Sequence, residues 1–100
     1  MHVELLMAPA EDEKTFLRAA VDAIPKVAEI VCRYSPEDQA GALEAAERRF
    51  MEAARDYGCT EISGRSRVSA IMRLLRRQVK ARHTSEVKLR ALLQRLTEPD

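Results

Sequence analysis

The chain has 100 residues, with 17 basic and 16 acidic side chains, so its net charge of +1 indicates no particular class of partner. This length is that of one domain, which can bury a modest core without disulfides. Three glycines, four prolines, two tyrosines and two phenylalanines are too few for a sheet protein with many turns. Leucine, alanine, glutamate and arginine are abundant, as is typical of helical proteins, and the composition therefore predicts an all-α fold.

Charge is distributed unevenly along the chain. Residues 1–50 carry 6 basic and 10 acidic side chains, whereas residues 51–100 carry 11 and 6. Between residues 65 and 95 there are ten basic residues and a single acidic one, Glu86. Such asymmetry indicates a surface for nucleic acid or a membrane. The alternative is that the acidic half neutralises the basic half, within one chain or across a dimer.

The first predicted helix begins at Pro9, because proline suits a first helical turn and acidic residues follow it. Apolar residues then recur in steps of three and four from Phe16 to Tyr34, which is the spacing of one helix face. Pro25 lies inside this stripe, where it removes a backbone donor. We therefore expect either one kinked helix or two short ones.

A second helix is predicted to open at SPED (35–38), with Ser35 as the cap and Pro36 at the first helical position. Gly58 is a natural left-handed stop for this helix. The stretch CTEISGRS (59–66) is then predicted to be a loop, with Ser63 or Ser66 as the next cap.

The third predicted helix has an apolar stripe that keeps its phase into a leucine-rich end. One long helix from about residue 66 to 96 is one interpretation. The other is a turn at HTS (83–85), after which Ser85 caps a fourth helix. The unbroken phase favours the long helix. The residues that share this phase are Val68, Ile71, Met72, Leu75, Val79, Arg82, Glu86, Leu89, Leu93 and Leu96.

These elements predict a small bundle or hairpin of three to four helices with a long basic C-terminal helix. We expect an N-terminal arm over residues 1–8, a single helical domain over 9–97 and a tail over 98–100. A last helix of this length would overhang a small body and bury its far leucines elsewhere, so a homodimer is expected.

Part of the chain matches the helix-turn-helix pattern of DNA-binding proteins. Ala54 and Gly58 have the separation that this motif uses before its turn, and a capped helix follows. The turn CTEISGRS (59–66) is too long, however, and Gly64 lies where an apolar residue is expected. The match is therefore partial.

No arrangement of residues in the sequence predicts catalysis, a cofactor or a metal site. His2 and His83 lack an evident nucleophile or carboxylate partner. Cys32 and Cys59 are far apart, without ligand spacing, and lie near apolar helix positions. We therefore expect buried free thiols rather than a disulfide, and a protein that is not an enzyme.

The sequence contains neither a recognisable signal peptide nor a membrane span. The first residues lack a positive region followed by an apolar run, and no apolar stretch approaches the ~20 residues that a spanning helix needs. Binding to a membrane surface is disfavoured because no large aromatics accompany the arginines. We expect a soluble, cytoplasmic protein.

Cations cluster on one side of the third predicted helix. Like charges four residues apart repel one another, and here no acidic residue relieves them. Arginine's planar fork suits phosphates and carboxylates alike. The cluster falls in one sector, roughly 80° to 180° from Val68 on a helical wheel, and consists of Arg73, Arg76, Arg77 and Lys80.

The sequence therefore predicts a non-enzymatic binding module or regulator that contacts an acidic partner, nucleic acid (DNA) before an acidic protein. The alternative is a helical adaptor or inhibitor that binds a protein, its basic face matched by its own acidic N-terminal half. Phosphate contacts are predicted, with help from Ser66 or Ser69, for Arg65, Arg67, Arg73, Arg76, Arg77, Lys80 and Arg82.

Overall fold

The computed structural model describes residues 2–97, with their side chains from residue 13 onwards, and this part of the chain contains three helices and no strand. They are α1 (His2–Cys32), α2 (Pro36–Asp56) and α3 (Glu61–Thr97). The prediction of an all-α protein is confirmed. The tail predicted over residues 98–100 lies outside the described residues.

α1 differs from the prediction at its start and at its proline. It begins at His2, so the helix includes residues 2–8 of the predicted arm, a stretch without glycine or proline. It also continues through Pro25, so one helix forms and the split into two does not occur. The apolar stripe explains this continuity, because Ile24 and Ala28 on either side of Pro25 are both buried in the same core.

The connection between α1 and α2 has the predicted signals. Pro36 occupies the first turn of α2, and the Ser35 carbonyl accepts hydrogen bonds from the backbone N–H groups of Asp38 and Gln39. The Ser35 hydroxyl does not cap the backbone. It donates instead to the Asp38 carboxylate, 2.9 Å away.

The connection between α2 and α3 is shorter than predicted. Gly58 adopts φ 88°, and the N–H groups of Gly58 and Cys59 reach back to the carbonyls of Arg55 and Ala54, which is the Schellman ending of a helix. Thr60 then starts α3, because its hydroxyl accepts the Ser63 N–H at 3.2 Å. The loop predicted over 59–66, with Ser63 or Ser66 as cap, is therefore wrong.

The three helices run up, down and up. α1 and α3 are parallel, since Glu13 contacts Arg67 and, further along both helices, the Cys32 thiol contacts the Val79 carbonyl. α2 runs antiparallel to both. All three helices contribute to one core of mostly small and branched side chains, whose buried members are Phe16, Ala20, Ile24, Ala28, Val31, Phe50, Ala54, Val68, Ile71, Met72, Leu75 and Val79.

The molecule is elongated, measuring 77 × 21 × 15 Å. Its radius of gyration of 18.4 Å exceeds the ~13 Å of a compact chain of this length. α3 is the largest single contributor, because its 37 residues form one helix of about 55 Å. From His83 to Thr97 every side chain of α3 is exposed. We call residues 83–97 the C-terminal extension, and of the two interpretations of HTS the long helix is the one observed.

Candidate nucleic-acid interface

The seven predicted contact residues all lie on α3, but they divide into two groups. Three of them are engaged within the chain. Arg65 forms an exposed ion pair with Glu61 at 3.1 Å, one helical turn away. Arg67 is half-buried and binds Glu13 of α1 at 2.9 Å. Arg82 is also half-buried and donates to the Pro25 carbonyl of α1 at 3.2 Å. Arg65 therefore links two turns of α3, whereas Arg67 and Arg82 link α3 to α1.

The contact between Arg67 and Glu13 is a small polar network rather than a single pair. The Arg67 Nε also donates to the Ser63 hydroxyl at 3.2 Å, and that hydroxyl donates to Glu13 at 2.9 Å. The Glu13 side chain is only 18% exposed, so this pair is the best shielded of the described ion pairs. Arg67 is therefore committed to joining the two helices near their beginnings.

The remaining four residues are exposed and form what we call the basic band, namely Arg73, Arg76, Arg77 and Lys80. Among the side chains from residue 13 to 97, none lies within ion-pair distance of this band. The band faces away from the core, since Met72 and Leu75 between its members are buried. Its positive charge is therefore directed at solvent.

The structure adds two residues that the sequence interpretation left out. Positions 77, 80, 84, 88, 91 and 95 recur in steps of four and three along a continuous helix, so Lys88 and Arg95 extend the band. Both side chains are exposed. The signal was present in the sequence, but it could be used only once a turn at HTS (83–85) was excluded.

The connection between α2 and α3 resembles the turn of a helix-turn-helix, but the angle between the two helices does not match that motif. The connection spans only residues 57–60, so the turn is not too long for this motif, contrary to the prediction from sequence. Gly64 is buried, with Ala54 beside it. However, α2 is about 31 Å long and the molecule is 21 Å across, so α2 runs along α3 rather than crossing it at the 90–120° of that motif.

A second surface feature is an apolar groove between α1 and α2, on the side not covered by α3. It encloses about 520 Å³. Alanines form its floor, and the exposed side chains of Ile30 and Tyr34 stand at one end. We call it the α1/α2 groove. Its lining includes Phe16, Ala19, Ala23, Ala42, Ala45, Ala46 and Phe50.

Cys32 and Cys59 are not joined in a disulfide and both are half-buried, so the expectation of full burial is wrong. The Cys32 Sγ lies 3.7 Å from the Val79 carbonyl. Burial raises the pKa of Cys32, the nearby Glu86 carboxylate raises it further, and Arg82 partly opposes both. Within the described part of the chain, no group of three or more His, Cys, Asp or Glu side chains could hold a metal ion.

No protein family model, curated protein or solved structure matches this chain. Over the described residues, no helix combines the length and the apolar character needed to cross a membrane. Function is therefore inferred from the chemistry of the surface.

Proposed function

We propose that this protein is a non-enzymatic, homodimeric nucleic-acid-binding module that contacts DNA phosphates through the basic band of α3. The observation that supports it is the exposure of four cations with no described ion-pair partner. Lys88 and Arg95 continue the same side of the helix. From Arg73 to Arg95 the side spans about 33 Å, which is long enough to follow a run of phosphates.

The proposed contact set is narrower than the one predicted from sequence. Arg65, Arg67 and Arg82 already bind Glu61, Glu13 and the Pro25 carbonyl. Arg67 and Arg82 would have to leave half-buried positions to reach a phosphate. We therefore assign them to holding α3 in place, and assign the phosphate contacts to the basic band.

Fluorescence anisotropy with a labelled random DNA duplex tests the proposal. Four phosphate contacts should weaken binding roughly 100-fold between about 50 and about 200 mM salt. The variant Arg76→Glu/Arg77→Glu should bind at least tenfold more weakly at the lower salt and show a shallower salt dependence. Its fold should persist, because each reversal converts a like-charge pair four residues apart into an attractive one.

A matched control distinguishes the effect of the basic band on DNA binding from the effect of net charge. Arg18→Glu/Arg55→Glu makes the same change in net charge at exposed positions of α1 and α2. It should retain most of the affinity. Absence of duplex binding at low salt, or equal losses in both double variants, would refute a specific role for the basic band.

A helical adaptor or inhibitor is the second candidate, supported by the exposed leucines of the C-terminal extension. This function predicts little response to nucleic acid and a defined complex with a protein partner. A single-stranded probe in the same anisotropy assay completes the comparison, since indifference to both nucleic acids favours the adaptor.

A further inference from the structure

Two apolar surfaces of this chain are left uncovered, and their shapes are complementary. The α1/α2 groove is concave and floored by alanines, which let a neighbouring helix approach closely. The C-terminal extension is a single helix that carries a ridge of apolar side chains, each at least half exposed. The ridge consists of Leu89, Leu92, Leu93 and Leu96.

The extension cannot cover the groove of its own chain. α3 is unbroken from Glu61 to Thr97, so residues 83–97 continue straight past the end of α1 at Cys32. An isolated helix of about 12–15 residues is only marginally stable in water. The extension continues α3, so the body supports its first turn, but its exposed leucines leave water only if a partner packs against them.

We propose that the C-terminal extension of one copy docks in the α1/α2 groove of a second copy, and that the second copy returns the same contact. Each half of this dimer then contains four packed helices, three of its own and one from its partner. This inference rests on the homodimer in the proposed function, and it is independent of nucleic-acid binding.

The dimensions of the two surfaces agree. The fifteen residues of the extension measure about 22 Å, and the groove runs along α1 from Phe16 to Val31, also about 22 Å. Leu89, Leu92, Leu93 and Leu96 are spaced by three and four residues, so they form one ridge along the helix. A single ridge of this kind is what a groove between two helices accommodates.

Charge disfavours the alternative in which two extensions pair with each other. The extension carries Lys88, Arg90 and Arg95 against one acidic residue, Glu86, so two extensions side by side would repel. Among the described residues that line the groove, Arg49 is the one charged side chain, so the docking contact is mainly apolar.

One two-fold axis satisfies both contacts. No residue of α3 lines the groove, and the extension points along the long axis away from the body. A rotation that inverts the long axis therefore places each extension beside the other copy's groove. Lys88 and Arg95 lie four and three residues from Leu92, at the border of the leucine ridge, whereas the basic band itself lies outside the extension.

The test uses two variants of the full chain and their mixture. Ala19→Gln/Ala45→Gln places two amides in the groove, and Leu89→Gln/Leu93→Gln removes two leucines of the ridge. Neither change alters charge or touches a buried core residue. The controls are Ala40→Gln/Ala70→Gln and Val21→Gln/Leu74→Gln, at positions outside both surfaces. Circular dichroism confirms that each variant remains folded.

Light scattering should show a dimer for the unaltered chain and for both controls. Each test variant should be a monomer, with a dimer dissociation constant raised at least about 1,000-fold, since two buried leucines or their contacts are lost in each of two interfaces. The mixture of the two test variants should form a one-to-one heterodimer. That heterodimer keeps one intact contact, between the unaltered groove of one copy and the unaltered extension of the other.

Three results would overturn the proposal. The unaltered chain could be a monomer at micromolar concentrations, the groove variant could remain a full-strength dimer, or the mixture could fail to associate. A dimeric groove variant would indicate that two extensions pair directly. Because both test variants keep the basic band, duplex binding measured on them reports the nucleic-acid proposal separately.

Discussion

Arg77 and Arg82 have the same charge and lie little more than one turn apart on α3, yet their surroundings differ. Arg77 is exposed with no described partner, whereas Arg82 is half-buried and donates to the Pro25 carbonyl. The Arg82 Nε is buried and has no hydrogen-bond partner among the described atoms. Charge in a sequence therefore does not distinguish a binding residue from one that joins two helices, because the difference depends on what the neighbouring helix presents.

The reactivity of the Cys32 thiol gives a prediction at the same scale. Burial and then Glu86 raise its pKa, so its thiolate forms only above the pH at which an ordinary thiol ionises. Alkylation by iodoacetamide should therefore be slow at pH 8 and increase as pH rises further. Glu86→Gln removes the negative charge near the thiol, so it should lower the pKa of Cys32 and raise the alkylation rate severalfold at fixed pH. Mass spectrometry distinguishes Cys32 from Cys59.

A matched substitution elsewhere on α3 provides the control for Cys32. Lys88→Gln changes the charge of the same helix near Glu86 but is not among the causes of the pKa shift. It should leave the Cys32 rate unchanged. Equal rates for Glu86→Gln and the unaltered chain would contradict the assignment of Glu86.

At the scale of the element, glycine residues show how local backbone conformation determines where a helix ends and how stable it is. Gly58 adopts φ 88°, so Gly58→Ala should lower the free energy of unfolding by about 1–2 kcal/mol. Gly41 lies inside α2 with no atom near an added Cβ, so Gly41→Ala should raise it by about 0.5–1 kcal/mol. Urea denaturation measures both changes. A stabilised Gly58→Ala variant would refute the role of the left-handed stop.

The boundaries show where sequence reasoning succeeded for elements and where it failed. Ser35, Pro36 and Gly58 were identified correctly because each acts through its own backbone conformation. The start of α3 was missed because Thr60 and Ser63 are both good caps, and only the position of the Schellman turn decides between them. Likewise, the continuity of α1 through Pro25 depends on packing on both sides of the proline.

At the scale of the whole molecule, the length of α3 decides the shape. The body ends near Arg82, and the extension projects beyond it as a helix whose side chains are all exposed. Hydrogen exchange should reflect this division. At concentrations below the dimer dissociation constant, amides of residues 83–97 should exchange far faster than those of residues 68–79, whose side chains pack in the core.

Raising the protein concentration should slow exchange in the extension at least about tenfold, because docking in a partner's groove stabilises the helix. Amides along α1 and α2 that line the groove should slow in parallel. An extension that stays unprotected in samples where light scattering finds a dimer would show that the dimer forms elsewhere.

The sequence by itself determined the helical class, the apolar stripes, most of the turn signals and the clustering of cations on one side of α3, because these depend on residues close together in the chain. Only the tertiary structure decided which arginines are already bound, that α2 runs along α3, and that a groove between α1 and α2 remains open. Each of these depends on the position of one helix relative to another. That relation arises from packing across residues distant in sequence, which local spacing does not encode.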